Sequence, residues 1–73
     1  MSRIISRCNS TVAKNVKRII DEKGLKQVGV ARKANIDEQS LSDMLNGRRI
    51  IKASDIEALI EALEIEPAEL FVS

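Results

Sequence analysis

Residues 33–49, KANIDEQSLSDMLNGRR, decide the fold. Asn35 stands where the chain must reverse, and Asn is among the non-glycine residues most tolerant of left-handed backbone angles. Ile36 follows it towards the core. Asp37 is placed to cap a helix, EQSLSDMLN, whose Leu41, Met44 and Leu45 recur at helical spacing. At about 100° per residue, Gln39 and Asp43 fall opposite Leu41, with Ser42 and Asn46 alongside. Gly47 closes this helix as a left-handed C-terminal residue. The stretch therefore reads as a helix ending at Ala34, a short reversal and a second helix ending at Gly47. The second helix is odd in one respect: Asp37, Glu38 and Asp43 make its outer face acidic.

Upstream, Asn9, Ser10 and Thr11 offer caps before VAKNVKRIIDEKG, where Val12, Val16, Ile19 and Ile20 repeat at helical spacing and Gly24 supplies a stop. Ile4 and Ile5 belong either to an ordered arm packed on the core or to a frayed end. From Gln27, QVGVARKA puts Val30, Ala31 and Ala34 on one side and leaves Arg32 and Lys33 to solvent. Gly29 lies in the first turn, where the helix-interior penalty of about 1 kcal/mol is partly avoided. Downstream, RRIIKA is a basic connection with two apolar anchors, and Ser54 with Glu57 forms a capping-box signature before Ile56, Leu59, Ile60 and Leu63. Pro67 suits the first turn of a short last helix containing Leu70 and Phe71. No strand pattern, repeat or linker interrupts the series. The expectation is an all-α, compact five-helix bundle, with an N-terminal arm over residues 1–10 and one domain over residues 11–73.

A chain of 73 residues has room for one core, since a domain of that size buries only about 60% of its unfolded surface. Cys8 is the single cysteine and histidine is absent, which excludes an intrachain disulfide and leaves no Cys/His set for zinc or a Cys–His nucleophile. No metal or cofactor is expected, and the scattered carboxylates all have helix-surface explanations, so an enzyme is disfavoured. The apolar runs are short and the N-terminus lacks an extended apolar core, so a cytoplasmic protein without a membrane span is expected. A net charge of +1 says little, because polyanion binding depends on clustered charge. The distribution says more: Lys and Arg dominate up to Lys52 and are absent after it, where Asp55, Glu57, Glu61, Glu64, Glu66 and Glu69 follow.

At this point the sequence resembles the Cro/C1-type (XRE) helix-turn-helix family of phage and bacterial repressors. The resemblance runs from Val12 to about Phe71 and rests on IIDEKGLKQ, VARKANI, LSDMLNGRR and IEALIEALEIEPAELF. It implies a lambda-repressor-like DNA-binding domain, in which the second and third helices dock on double-stranded DNA and dimers occupy palindromic operators. Position by position, it implies a phosphate contact at Gln27, base-facing side chains at Glu38, Gln39, Ser42 and Asp43, and phosphate contacts at Asn46 and Arg48. The sequence departs from the family pattern at several places. Lys26 replaces the usual hydroxyl cap, Val28 and Gly29 replace polar residues, Asn35 stands for the usual Gly, and Leu45 replaces a frequent Glu.

The residues give those positions chemical content. Asp37 is chiefly a helix cap. Glu38 suits the N4 amino group of cytosine, and Gln39 suits adenine N6 and N7 together, a contact giving about 1–3 kcal/mol of discrimination. Asp43 either meets cytosine or pairs with a nearby Arg or Lys and holds the reading face in position. Arg48, Arg49 and Lys52, with Lys26, Arg32 and Lys33 from the other side, form a candidate phosphate clamp flanking the acidic strip. Leu70, Phe71 and Val72 either form a homodimer surface or cap the monomer core. Arg3 and Arg7 add DNA contacts or packing. The expected function is a sequence-specific DNA-binding transcriptional regulator, a phage or mobile-element type repressor that blocks polymerase at its operator. The alternative is a protein-interaction module, an antitoxin-like partner whose acidic third helix meets another protein.

Overall fold

The computed structural model describes residues 2–72, with side chains from residue 9 to residue 72. Helix α1 runs Ser2–Glu22, α2 Gln27–Ala34, α3 Glu38–Leu45 and α4 Ala53–Leu63. No strand occurs among the described residues, so the all-α expectation holds, with four α-helices where five were expected. Pro67–Leu70 is a single 3-10 turn. Its N–H groups reach back three residues, from Glu69 to Glu66 (3.0 Å) and from Phe71 to Ala68 (3.1 Å). Four residues closed by such bonds do not start an α-helical ladder.

The first helix also differs from expectation. Asn9, Ser10 and Thr11 are not caps but interior residues of α1, which continues without a break across residue 10. Asn9 has a different partner: its side-chain oxygen accepts from the Ile51 N–H at 2.6 Å and ties α1 to the segment before α4. What Arg3, Ile4, Ile5, Arg7 and Cys8 touch lies outside the described side chains.

All four helices end alike, because a helix C-terminus leaves carbonyls that a left-handed residue can turn its neighbours' N–H groups to satisfy. After α2, Asn35 takes φ 57° and ψ 41°, and the Ile36 N–H bonds the Ala31 carbonyl at 2.9 Å. After α3, Gly47 takes φ 77°, and the Arg48 N–H bonds the Asp43 carbonyl at 2.8 Å. Gly24 does the same for α1, and Glu64, at φ 55°, for α4. Left-handed geometry costs a residue with a Cβ roughly 1–2 kcal/mol, so Glu64 holds a strained cap that the sequence did not advertise.

The start of α4 is a further correction. Ser54 and Glu57 form no capping box; the helix begins at Ala53, and the Asp55 carboxylate accepts from the Lys52 N–H at 3.1 Å. Inside, Val12, Val16 and Ile19 of α1 meet Val30, Ala31 and Ala34 of α2, with Leu41, Met44 and Leu45 of α3 and Leu59 and Leu63 of α4. Full burial of each large aliphatic side chain stabilises the fold by about 1.5–3 kcal/mol. Asn15 is 6% exposed, yet its amide is fully used: it donates to the carbonyls of Leu70 and Val72, both at 2.8 Å. Its oxygen accepts from Arg18 at 3.3 Å. This polar staple fixes the end of the chain against α1 and seats Leu70 in the core. Leu70 is thus unavailable as a dimer contact, whereas Phe71 and Val72 are each 52% exposed.

Candidate nucleic-acid interface

Because Leu41, Met44 and Leu45 are committed to the core, α3 turns Glu38, Gln39, Ser42, Asp43 and Asn46 away from it. Asp37 begins this helix, its carboxylate accepting from the Ser40 N–H at 3.2 Å. Along the outer face, side chains pair one turn apart. The Gln39 amide donates to Asp43 Oδ1 at 3.1 Å. Asn46 donates to the Ser42 carbonyl at 2.9 Å. The Arg48 guanidinium reaches Asp43 Oδ1 at 4.0 Å, an exposed pair of little energetic weight but placed by the Gly47 turn.

These bonds give the face a definite presentation. The Gln39 amide has two protons and a carbonyl oxygen, and Asp43 occupies one proton. A second proton and the oxygen stay free, the donor and acceptor that adenine N7 and N6 require. Asp43 Oδ1 thus stands between the Gln39 amide and the Arg48 guanidinium. Asn46 is folded back, with its amide nitrogen on its own helix.

The end of α2 completes the site. Lys26 precedes it in extended conformation, φ −106° and ψ 141°, with no side-chain cap. The first-turn N–H groups therefore receive no capping oxygen from the Lys26 side chain, unlike those of a helix begun by Ser, Thr, Asp or Asn. Gln27 lies beside Asp37, Glu38, Gln39 and Ser42 around one open cleft of about 490 Å³. The fold brings the expected phosphate contact at Gln27 next to three of the expected base-facing positions, Glu38, Gln39 and Ser42.

The flanking cations divide. Arg49 donates to the Ser40 hydroxyl at 3.0 Å and so lies against α3. Lys33 pairs with Glu64 at 3.7 Å, so it is directed to the end of α4. Arg32 and Lys52 are exposed and make no ion pair among the described residues. Sequence reasoning overlooked a second, larger groove of about 620 Å³ between α1 and the Asn46–Ile50 segment, with Lys14 and Lys17 on its α1 side. A signal existed, since no acidic residue occurs before Asp21. Among the described residues, no cluster of His, Cys, Asp and Glu is able to hold a metal ion, and no helix is long and apolar enough to cross a membrane.

With this geometry in view, known proteins give a consistent comparison. The family model described as helix-turn-helix matches residues 16–70. Among solved structures, the restriction-modification controller protein C.AhdI from Aeromonas hydrophila superposes with a TM-score of 0.80 at 28% identity, over 86% of this chain and 96% of that one. The wild-type restriction-modification controller protein C.Esp1396I gives a TM-score of 0.81, again at 28% identity, over 88% of this chain and 82% of that one. No curated protein sequence matches the chain.

Proposed function

Because the chain belongs to the Cro/C1-type helix-turn-helix family, we propose that it is a sequence-specific double-stranded DNA-binding transcriptional regulator of the phage or mobile-element type. It works in the cytoplasm by occupying an operator and blocking polymerase, with no chemical step of its own. The observation that carries this reading is the pairing of an uncapped α2 N-terminus with the ordered Gln39–Asp43 face of α3. The first is a ready anion site, where backbone N–H groups and the helix dipole meet a phosphate. The second presents a free amide edge to the major groove.

In this reading Gln27, Lys26, Arg48 and Arg49 hold phosphates, with Arg32, Lys52 and a released Asn46 as further contacts. Gln39 reads a base, Glu38 and Ser42 test its neighbours, and Asp43 orients Gln39. About four phosphates neutralised per subunit give a slope near −3.6 for log affinity against log salt. One short reading helix spans few base pairs, so a homodimer on a palindromic operator supplies the remaining affinity. Phe71 and Val72 are its candidate apolar contacts.

Selection from random duplex pools, followed by mobility shifts on the enriched sequence at two salt concentrations, tests the proposal. Enrichment of a two-fold sequence with salt-sensitive binding is expected. A folded chain that binds no duplex in a salt-sensitive way would overturn it in favour of a protein partner for the acidic third helix.

A further inference from the structure

The groove beside α1 has a fixed shape and one sign of charge. Its floor is apolar, formed by Ala13, Met44 and Leu45, and its far wall is the segment from Asn46 to Ile50. Three features fix the walls: the Asn9 bond to the Ile51 N–H ties one to the other, the Arg48 N–H bond to the Asp43 carbonyl shapes the far one, and buried side chains lie beneath. Lys14 and Lys17 stand on one rim and Arg48 and Arg49 on the other, and among the described residues no carboxylate lines the groove. Lys14 and Lys17 make no ion pair or side-chain hydrogen bond among the described residues. Ile50 is 63% exposed in this wall, while its neighbour Ile51 is buried.

We infer that this groove seats a length of DNA backbone, extending the contact from the helix-turn-helix onto α1. The inference rests on the DNA-binding reading above. Asn46, Arg48 and Arg49 belong both to the proposed phosphate clamp and to the groove, so a strand leaving α3 enters it without a gap. A nucleic-acid strand alternates anionic phosphates with less polar sugars. The groove offers the matching alternation, with cations on both rims, Ile50 for a deoxyribose face and a floor that carries no competing anion. Lys14 and Lys17 then act as phosphate contacts that fix register and carry no sequence information.

The test measures binding of the native chain, the K14Q/K17Q double variant and Lys23→Gln to the selected operator across a salt series. Lys23 is an exposed cation just beyond the end of α1 and lies outside the groove. Two lost phosphate contacts lower the steepness of the salt dependence by about 1.8 in the double variant. The ranking of operators with single base-pair changes stays as in the native chain, and Lys23→Gln stays close to native. All three exposed changes retain the fold, which the far-ultraviolet circular dichroism melt checks. An unchanged salt slope in a double variant that still binds the operator overturns the inference and leaves the main reading standing. A native chain that binds no duplex overturns both.

Discussion

The two helices of the motif begin in opposite ways. α2 starts after Lys26, a cation in extended conformation that caps nothing. α3 starts after Asp37, whose carboxylate takes the Ser40 N–H at 3.2 Å. Each helix start carries about half a positive charge and several orphan donors, and leaving them without a capping side chain forgoes about 1 kcal/mol. The protein accepts that loss at α2 and not at α3. An open positive end attracts any phosphate, which suits a site that grips the backbone. A closed end, with Glu38 and Asp43 beyond it, repels phosphates and suits a face that meets base edges. Under the proposed function, the acidity of α3 separates holding DNA from testing it.

The strongest way to break this contrast is to give α2 the beginning that α3 has. Lys26→Asp supplies a cap and places a carboxylate where a phosphate is expected. Its stability rises by about 1 kcal/mol, while binding to every duplex weakens by on the order of 2–3 kcal/mol, roughly 30–150-fold. Thermal melts and salt-matched titrations read the two effects, and a fall in both quantities would contradict the role given to the open end. Gln39→Ala acts on the other side of the contrast. Discrimination falls by about 1–3 kcal/mol at one base pair and the other positions keep their preferences. Asp43→Ala produces a smaller loss at that same base pair, because it only orients the amide; a loss at a different base pair would make Asp43 a direct reader. Asp37→Ala comes next. It lowers stability by about 1 kcal/mol, which is a fall of about 4–8 °C in melting temperature for a domain of this size, and leaves base preference intact.

The parts of this contrast that were legible in the sequence are those fixed by local chemistry. Asn35 and Gly47 announced left-handed ends, Asp37 a cap, and the spacing of Leu41, Met44 and Leu45 an inward face. The misread helix starts share a cause, which is that a capping residue looks the same whether its helix begins there or runs through it. Asn9, Ser10 and Thr11 read as a start because nothing local shows that Asn9 bonds the Ile51 N–H, 42 positions away. Asn15 carried no signal for the same reason, since its partners are the Leu70 and Val72 carbonyls. That staple also decides which residues of the terminal apolar cluster stay free, a question that hydrophobicity alone left open. For the candidate site, identities along one helix were readable. The Gln39–Asp43–Arg48 arrangement became definite only once the turn at Gly47 placed Arg48, and the groove along α1 required knowing which helix lies beside the basic segment.

Gly29→Ala gives the smallest effect and separates two explanations of α2. This helix is weak on two counts, an uncapped start and a glycine in its first turn. A Cβ built at Gly29 meets no atom within 4 Å, and the residue lies within the helix, so alanine fits without strain. The substitution raises stability by about 0.4–1 kcal/mol, chiefly by restricting the unfolded chain, and leaves the helix end open. If the open end is what binds phosphate, affinity and its salt dependence stay at native values while the melting temperature rises. If DNA binding instead drew on a loosely formed α2, Gly29→Ala and Lys26→Asp would shift affinity in the same direction, and the contrast between the two helix starts would reduce to a difference in helix stability.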